Sequence, residues 1–183
     1  MKHKLSLDIL YPDAWISSTY KIPFEKLYRK GYRGVIFDID NTLVPHGAPA
    51  DERAEDLFVR LNELGFEYAL ISNNKGPRVQ MFNENIHAYT VCDAHKPNPE
   101  NYLKAAAIMG LEKEQVVFVG DQIFTDVLGA KLAGIFSILV QPIHPKEEIQ
   151  IILKRYLEKI VLYFYKKKRR SMKVAKAEGL CKK

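Results

Sequence analysis

The sequence predicts a doubly wound, mainly parallel α/β sheet with helices on both faces. Three observations predict it. The short apolar runs Val35-Ile36-Phe37, Tyr68-Ala69-Leu70-Ile71 and Val116-Val117-Phe118-Val119 lack alternation, as strands covered on both faces do. Segments of helical period separate them, and each run passes into polar residues at its end. Strands alternating with helices in this way build a parallel sheet.

The elements follow in order. Pro23 suits the first turn of a short helix running to about Lys30, which Gly31 ends. The run 35–37 is the first strand and stops at Asp38. From Asp51 to Leu64, Ala54, Leu57, Phe58, Leu61 and Leu64 recur at three and four, and Gly65 stops the helix. Tyr68 to Ile71 is a second strand, Ala88 to Cys92 a short one, and Asn101 to Met109 a helix closed by Gly110. Val116 to Val119 is a further strand, 125–133 a helix before Gly134, and Phe136 to Val140 the last strand. From Ile149 to Phe164, Ile149, Ile152, Leu153, Tyr156, Leu157, Ile160, Val161 and Phe164 keep a helical period. Lys166-Lys167-Lys168-Arg169-Arg170 follows.

These elements divide the chain into an N-terminal lead-in (1–32), a strand-and-helix core (33–145) and an amphipathic helix with a basic tail (146–183). A length of 183 residues with 47% hydrophobic, 27% charged and 11% aromatic composition suits one compact domain with an appendage. It excludes disordered and fibrous classes. The two cysteines, Cys92 and Cys181, have no CxxC spacing, which excludes a disulfide framework or a zinc site. The first fifteen residues lack the apolar run of a signal peptide, and Ile160 to Tyr165 is too short to span a bilayer. A cytoplasmic location is expected.

The net charge of +6 is unevenly distributed. Residues 154–183 hold twelve Lys or Arg against two Glu, and the remaining 153 residues balance at −4.

In a parallel sheet the polar strand ends share one edge, where such folds place their ligands. That edge gathers Asp38, Asp40, Ser72, Asn73, Asp121 and Asp126. Four carboxylates brought together call for a cation, and a hard all-oxygen site suits Mg²⁺. Asp38 and Asp40, two apart, point the same way if strand geometry persists, one to attack and one to handle protons. The Ser72 hydroxyl, backbone N–H groups around Asn73, and Lys96 in His95-Lys96-Pro97-Asn98-Pro99 supply donors for an anion.

The set DIDNT, ISNN, HKPNP and GDQIFTD, in this order at these strand ends, resembles the four motifs of the haloacid dehalogenase superfamily of phosphatases. The resemblance covers about residues 33–141. GDQIFTDVLGAKLAG followed by SILVQPI is similar to the YqeG family within it. Position by position, this implies Asp38 as nucleophile and Asp40 as acid/base. Thr42, Ser72, Asn73 and Lys96 become phosphate ligands, with Asp38, Asp40, Asp121 and Asp126 at Mg²⁺. The implied fold is Rossmann-like, and the implied reaction is phosphomonoester hydrolysis through an aspartyl phosphate.

From Asp38 to Ser72 there are 34 positions and from Ser72 to Lys96 only 24, so neither gap holds a cap domain. By analogy with the superfamily, an open crevice suits a phosphate on something bulky. The tail reads as a segment lying on an anionic membrane surface through residues 149–170, bringing the site to phospholipid headgroups. Proteins similar to the YqeG family include phosphatidylglycerophosphate phosphatases, which makes that lipid the most concrete expected substrate. Other readings stay open: a soluble phosphatase of sugar phosphates or nucleotides, or a tail helix that packs on the sheet. A basic run also suits RNA, and an RNA- or ribosome-associated binding module is the second class. The intact acidic motifs weigh against it.

Overall fold

Side chains alternate across a strand, so consecutive apolar residues need cover on both sides of a sheet. The computed structural model, which describes residues 7–144 and 149–177, supplies that cover. Residues 1–6, 145–148 and 178–183, Cys181 with them, lie outside the described residues. The chain forms two units, 1–147 and 148–183.

In the first unit the strands are β1 (Ala14–Ile16), β2 (Gly34–Phe37), β3 (Glu67–Ile71), β4 (Tyr89–Val91), β5 (Val116–Gly120) and β6 (Phe136–Val140). They form one sheet in the order β1-β6-β5-β2-β3-β4, and every pairing is parallel. The helices are α1 (Phe24–Arg29), α2 (Glu52–Glu63), α3 (Gly76–Asn83), α4 (Pro99–Ile108) and α5 (Leu128–Ala133). Strand order reverses at β2, which lies between β3 and β5. No large cap interrupts the described residues.

The two faces differ in what fills them. Val35, Phe37, Leu70, Val117 and Val119 pack with α1, α2 and α3 through Phe24, Phe58 and Phe82, and with Phe66 just before β3. Ile36, Ala69, Ile71, Val116 and Phe118 pack with α4 and α5 through Tyr102, Ala105, Ala106 and Ala130. Each fully buried phenylalanine stabilises the fold by about 1.5–3 kcal/mol. Small alanines on the second face let α4 and α5 approach the sheet closely.

Local chemistry sets the helix ends. Asp51 caps α2 by accepting the Ala54 N–H at 2.8 Å, and Gly65, at φ +81°, ends it with a conformation that side-chain-bearing residues avoid. Asn98 caps α4 by accepting the Glu100 N–H at 3.1 Å.

The lead-in contributes more than its sequence suggests. Residues 14–16 form the edge strand β1 beside β6, and Asp13 accepts hydrogen bonds from both the N–H and the hydroxyl of Ser137 at 2.9 Å. The Thr19 hydroxyl donates to the Thr42 carbonyl at 2.7 Å, and the Tyr20 hydroxyl to the Leu43 carbonyl. These contacts brace the loop after β2.

In the second unit, α6 (Ile149–Ala177) is a single helix. Tyr156, Leu157, Ile160, Tyr163 and Phe164 are exposed, whereas Glu158 and Tyr165 are buried. Lys166 to Arg170 are exposed on its later turns. The side chains of Ile149, Ile152 and Leu153 lie outside the described residues. No described helix is long and apolar enough to cross a membrane.

Candidate active site

Sheet register sets the site. Phe37 pairs with Leu70 on one side and Val119 on the other, so β2, β3 and β5 end nearly level. Asp38 continues the ladder by one bond, its N–H donating to the Val119 carbonyl at 2.9 Å, and Ser72 does likewise toward Val91 at 3.1 Å. Beyond these bonds the strands give way to loops that carry the polar residues.

After Asp38 the chain turns rather than continuing as a strand. The Ile39 carbonyl receives the N–H groups of Thr42, Leu43 and Val44, while Ile39, Leu43 and Val44 bury completely. Apolar anchors thus fix a polar loop. Asp38 and Asp40 consequently do not act as neighbours on one strand face, because strand geometry ends at Phe37. Asp38 enters a buried cluster, and Asp40 is held separately.

The cluster holds Asp38, Asp121 and Asp126, whose carboxylate oxygens lie within 4.8 Å of one another. Lys96 Nζ donates to Asp38 Oδ1 at 2.5 Å and to Asp126 Oδ1 at 2.8 Å. The Thr42 hydroxyl lies 3.1 Å from Asp38 Oδ2 and 3.3 Å from Asp121 Oδ1. Burial pushes the Asp38 carboxyl up to about 6; Lys96 opposes the rise and Asp126 adds to it. Burial also pulls the Lys96 ammonium down, but Asp126 and Asp38 outweigh it and hold it well above its ordinary value. Lys96 pairs with Asp38 and Asp126, and the oxygens of the three carboxylates are the donors a hard divalent cation takes.

Asp126 rests on an unusual turn. Sequence period places a helix over 125–133; residues Ile123–Val127 instead form one π-helical turn before α5. Such turns recur at functional sites. Asp126 Oδ2 accepts the N–H groups of Asp121 and Gln122 at 3.1 and 3.0 Å, which leaves Oδ1 for Lys96. The buried Tyr102 donates its hydroxyl to the Thr125 carbonyl at 3.0 Å, crossing over Gly129, where a Cβ would fall 2.4 Å from the ring.

Asn73 and Ser72 organise the loop that carries Lys96. Asn73 Oδ1 accepts the Lys96 N–H at 2.7 Å, and the Ser72 carbonyl accepts the Ala94 N–H at 3.0 Å. Ser72 Oγ accepts the Asn74 N–H at 3.1 Å. Asp93 and His95 both adopt positive φ, of 49° and 44°, so these bonds hold the loop in a sparsely populated conformation.

Asp40 lies outside the carboxylate trio. Its Oδ1 accepts the Gly47 N–H and Arg78 Nη2, each at 2.8 Å, and its Oδ2 accepts Asn74 Nδ2 at 2.6 Å. Sequence reasoning missed Asn74 and Arg78. One signal was present: an arginine in the first turn of a helix opposes the macrodipole and so needs a local reason.

Comparison with known proteins gives the family. A family model described as haloacid dehalogenase-like hydrolase matches residues 46–134. The Bacillus subtilis protein named "Probable phosphatase YqeG" is 34% identical over 158 residues, 86% of this chain and 92% of its own length. The chain belongs to the YqeG family of phosphatases, within the haloacid dehalogenase superfamily. A further relative of the family is phosphatidylglycerophosphate phosphatase 1 of Arabidopsis thaliana, 26% identical over 81% of this chain. The match spans about half of that plant protein, 48% of its length. A crystal structure of a haloacid dehalogenase-superfamily hydrolase from Ehrlichia chaffeensis shares the fold. Its TM-score is 0.50 at 19% identity, covering 70% of this chain and 97% of that one.

Proposed function

We propose that the protein hydrolyses phosphomonoesters in a Mg²⁺-dependent reaction through an aspartyl phosphate. The observation that carries this reading is the buried cluster of Asp38, Asp121, Asp126, Lys96 and Thr42 at the strand ends. Asp38, Asp121 and Asp126 would hold the ion, which supplies positive charge for the phosphoryl oxygens. The Asp40 carboxylate, gripped elsewhere, is left to move protons.

Asp38 attacks phosphorus as the ester bond breaks, and Asp40 gives the leaving oxygen its proton. Lys96, already aimed at Asp38, stays beside the developing charge, with Thr42 and Ser72 as hydroxyl donors at the rim. Asp40 then takes a proton from water, which attacks phosphorus and restores the Asp38 carboxylate. Asn73 serves by holding the Lys96 backbone.

Metal binding has a direct readout. Mg²⁺ raises the melting temperature; at a free concentration a hundred times the dissociation constant the gain is about 2.7 kcal/mol. Asp121→Asn removes most of that gain, and a melt unmoved by Mg²⁺ would count against the carboxylate site.

Phosphatidylglycerophosphate is the proposed substrate. Support comes from the plant relative, the uncapped strand-end rim and α6. On α6, Tyr156, Ile160, Tyr163 and Phe164 are exposed, Ile160 lying four positions after Tyr156 and three and four before the other two, with basic residues on the next turns. Aromatic and aliphatic side chains beside lysines suit an anionic bilayer surface, where each near-surface cation adds about 1 kcal/mol. The full chain is expected to sediment with phosphatidylglycerol vesicles and not with phosphatidylcholine vesicles, and Ile160→Ser with Phe164→Ser to release it. Salt-sensitive RNA retention without vesicle binding would favour an RNA partner for the tail. The deciding assay measures Mg²⁺-dependent phosphate release from phosphatidylglycerophosphate against sugar phosphates, nucleotides and phosphopeptides. Faster release from a soluble ester would reject the lipid.

A further inference from the structure

Arg78 occupies an expensive position. It lies in the first turn of α3, where the helix dipole disfavours a cation, and its side chain is only 15% exposed. Nη2 donates to Asp40, but Nε and Nη1 are buried and have no hydrogen-bond partner among the described residues. Buried donors left unsatisfied destabilise a fold, and a desolvated guanidinium with one bonded nitrogen is a poor stabiliser. Residues kept at such a cost concentrate where function requires them.

The partners of Asp40 indicate what Arg78 does. Both carboxylate oxygens are occupied by N–H donors: Gly47 and Arg78 on Oδ1, Asn74 on Oδ2. None of these three contacts asks Asp40 to donate. The grip fixes the position of the Asp40 carboxylate, and its anchors come from two stretches of chain, the turn at Gly47 and the 74–78 stretch that opens α3.

We propose that Arg78, with Asn74, is a positioning residue for the second half-reaction. It presents Asp40 to the water that hydrolyses the aspartyl phosphate. In that step the water oxygen bonds to phosphorus and its proton passes to Asp40. The bond from phosphorus to the Asp38 oxygen breaks, its electron pair returns to the Asp38 carboxylate, and inorganic phosphate leaves. The inference rests on the phosphatase reading above; with an ester whose leaving group needs no proton, the loss of Arg78 shows in the water step alone.

p-Nitrophenyl phosphate separates the steps, because nitrophenolate departs without needing a proton. In Arg78→Met the first step stays fast and the second slows. Rapid mixing of the Mg²⁺-loaded full chain is then expected to show a burst of about one equivalent of nitrophenolate. A steady rate at least tenfold below the native one follows. Acid quenching recovers a matching amount of phosphoenzyme. Arg78→Lys, which keeps the charge without the planar fork, recovers part of the steady rate. Asn74→Ala, which removes the other side-chain anchor, gives the same burst and serves if the Arg78 variants do not fold.

A fall in steady rate with no burst in any folded variant would mean that both steps suffer together, as loss of general structure predicts, and would overturn the assignment. An unchanged steady rate would overturn it as well. If the native protein releases no nitrophenolate and no phosphate from any ester, the phosphatase reading itself falls, and the assignment falls with it.

Discussion

Asp38→Asn is expected to lose phosphatase turnover by about four orders of magnitude or more, since on the proposed mechanism the amide cannot form the acyl phosphate. Burial already disfavours the charge on Asp38 and pushes its carboxyl up to about 6, so the folded chain binds that proton more tightly than the unfolded chain. Between the ordinary carboxylate value and about pH 6, the folded state therefore carries the extra proton, and the stability contributed by this group declines as pH rises. Above that range the charged group is a full liability, which the amide lacks. In chelated buffer at neutral pH, Asp38→Asn is expected to melt no lower than the native protein. Its stability should also depend less steeply on pH between 4 and 6, a range about as wide as the shift itself. Substantial activity in a variant verified by mass would remove Asp38 from the role of nucleophile.

Gly120→Ala has the second large effect. Gly120 ends β5, and a Cβ there would sit 2.5 Å from Asp126 Oδ2 and 2.6 Å from its Cβ and Cγ. Asp126 cannot give way easily, because Oδ2 holds two backbone N–H groups and Oδ1 holds Lys96. The added methyl group must expel the carboxylate from the trio or break the π-helical turn. Overpacking of this kind costs about 1–3 kcal/mol of stability. On the proposed mechanism, displacing Asp126 from the ion costs about a hundredfold in rate. Calorimetric titration with Mg²⁺ checks the outcome; native affinity in Gly120→Ala would reject the expectation that the added methyl group drives Asp126 off the ion.

Sheet, helices and strand-end carboxylates were legible for one physical reason. Strands buried on both faces must be apolar throughout, so the change to Asp38, Ser72 or Asp121 marks the sheet edge sharply. Elements stabilised by long-range contacts were not legible. The strand Ala14–Ile16 has three half-buried residues and gains its order from β6, more than a hundred positions away. Helix α3 buries only Val79 and Phe82, too few to mark a period. The spacing of Asp38 and Asp40 suggested a shared direction. The loop anchors Ile39, Leu43 and Val44 overrode it, a tertiary preference that no local pattern records. Lys96 was expected to face substrate phosphate, and it bonds Asp38 and Asp126, a buried pairing that no local pattern records.

The pairing of β1 with β6 also bears on how the chain is made. A ribosome releases β1 long before β6, so the earliest strand travels without its neighbour through most of synthesis. Sheet closure at this border is therefore a late event in biogenesis, set by a loop-closure entropy that the intervening helices and strands must first reduce. Until then the nascent molecule carries an unpaired backbone edge, the kind of surface that holding chaperones shield.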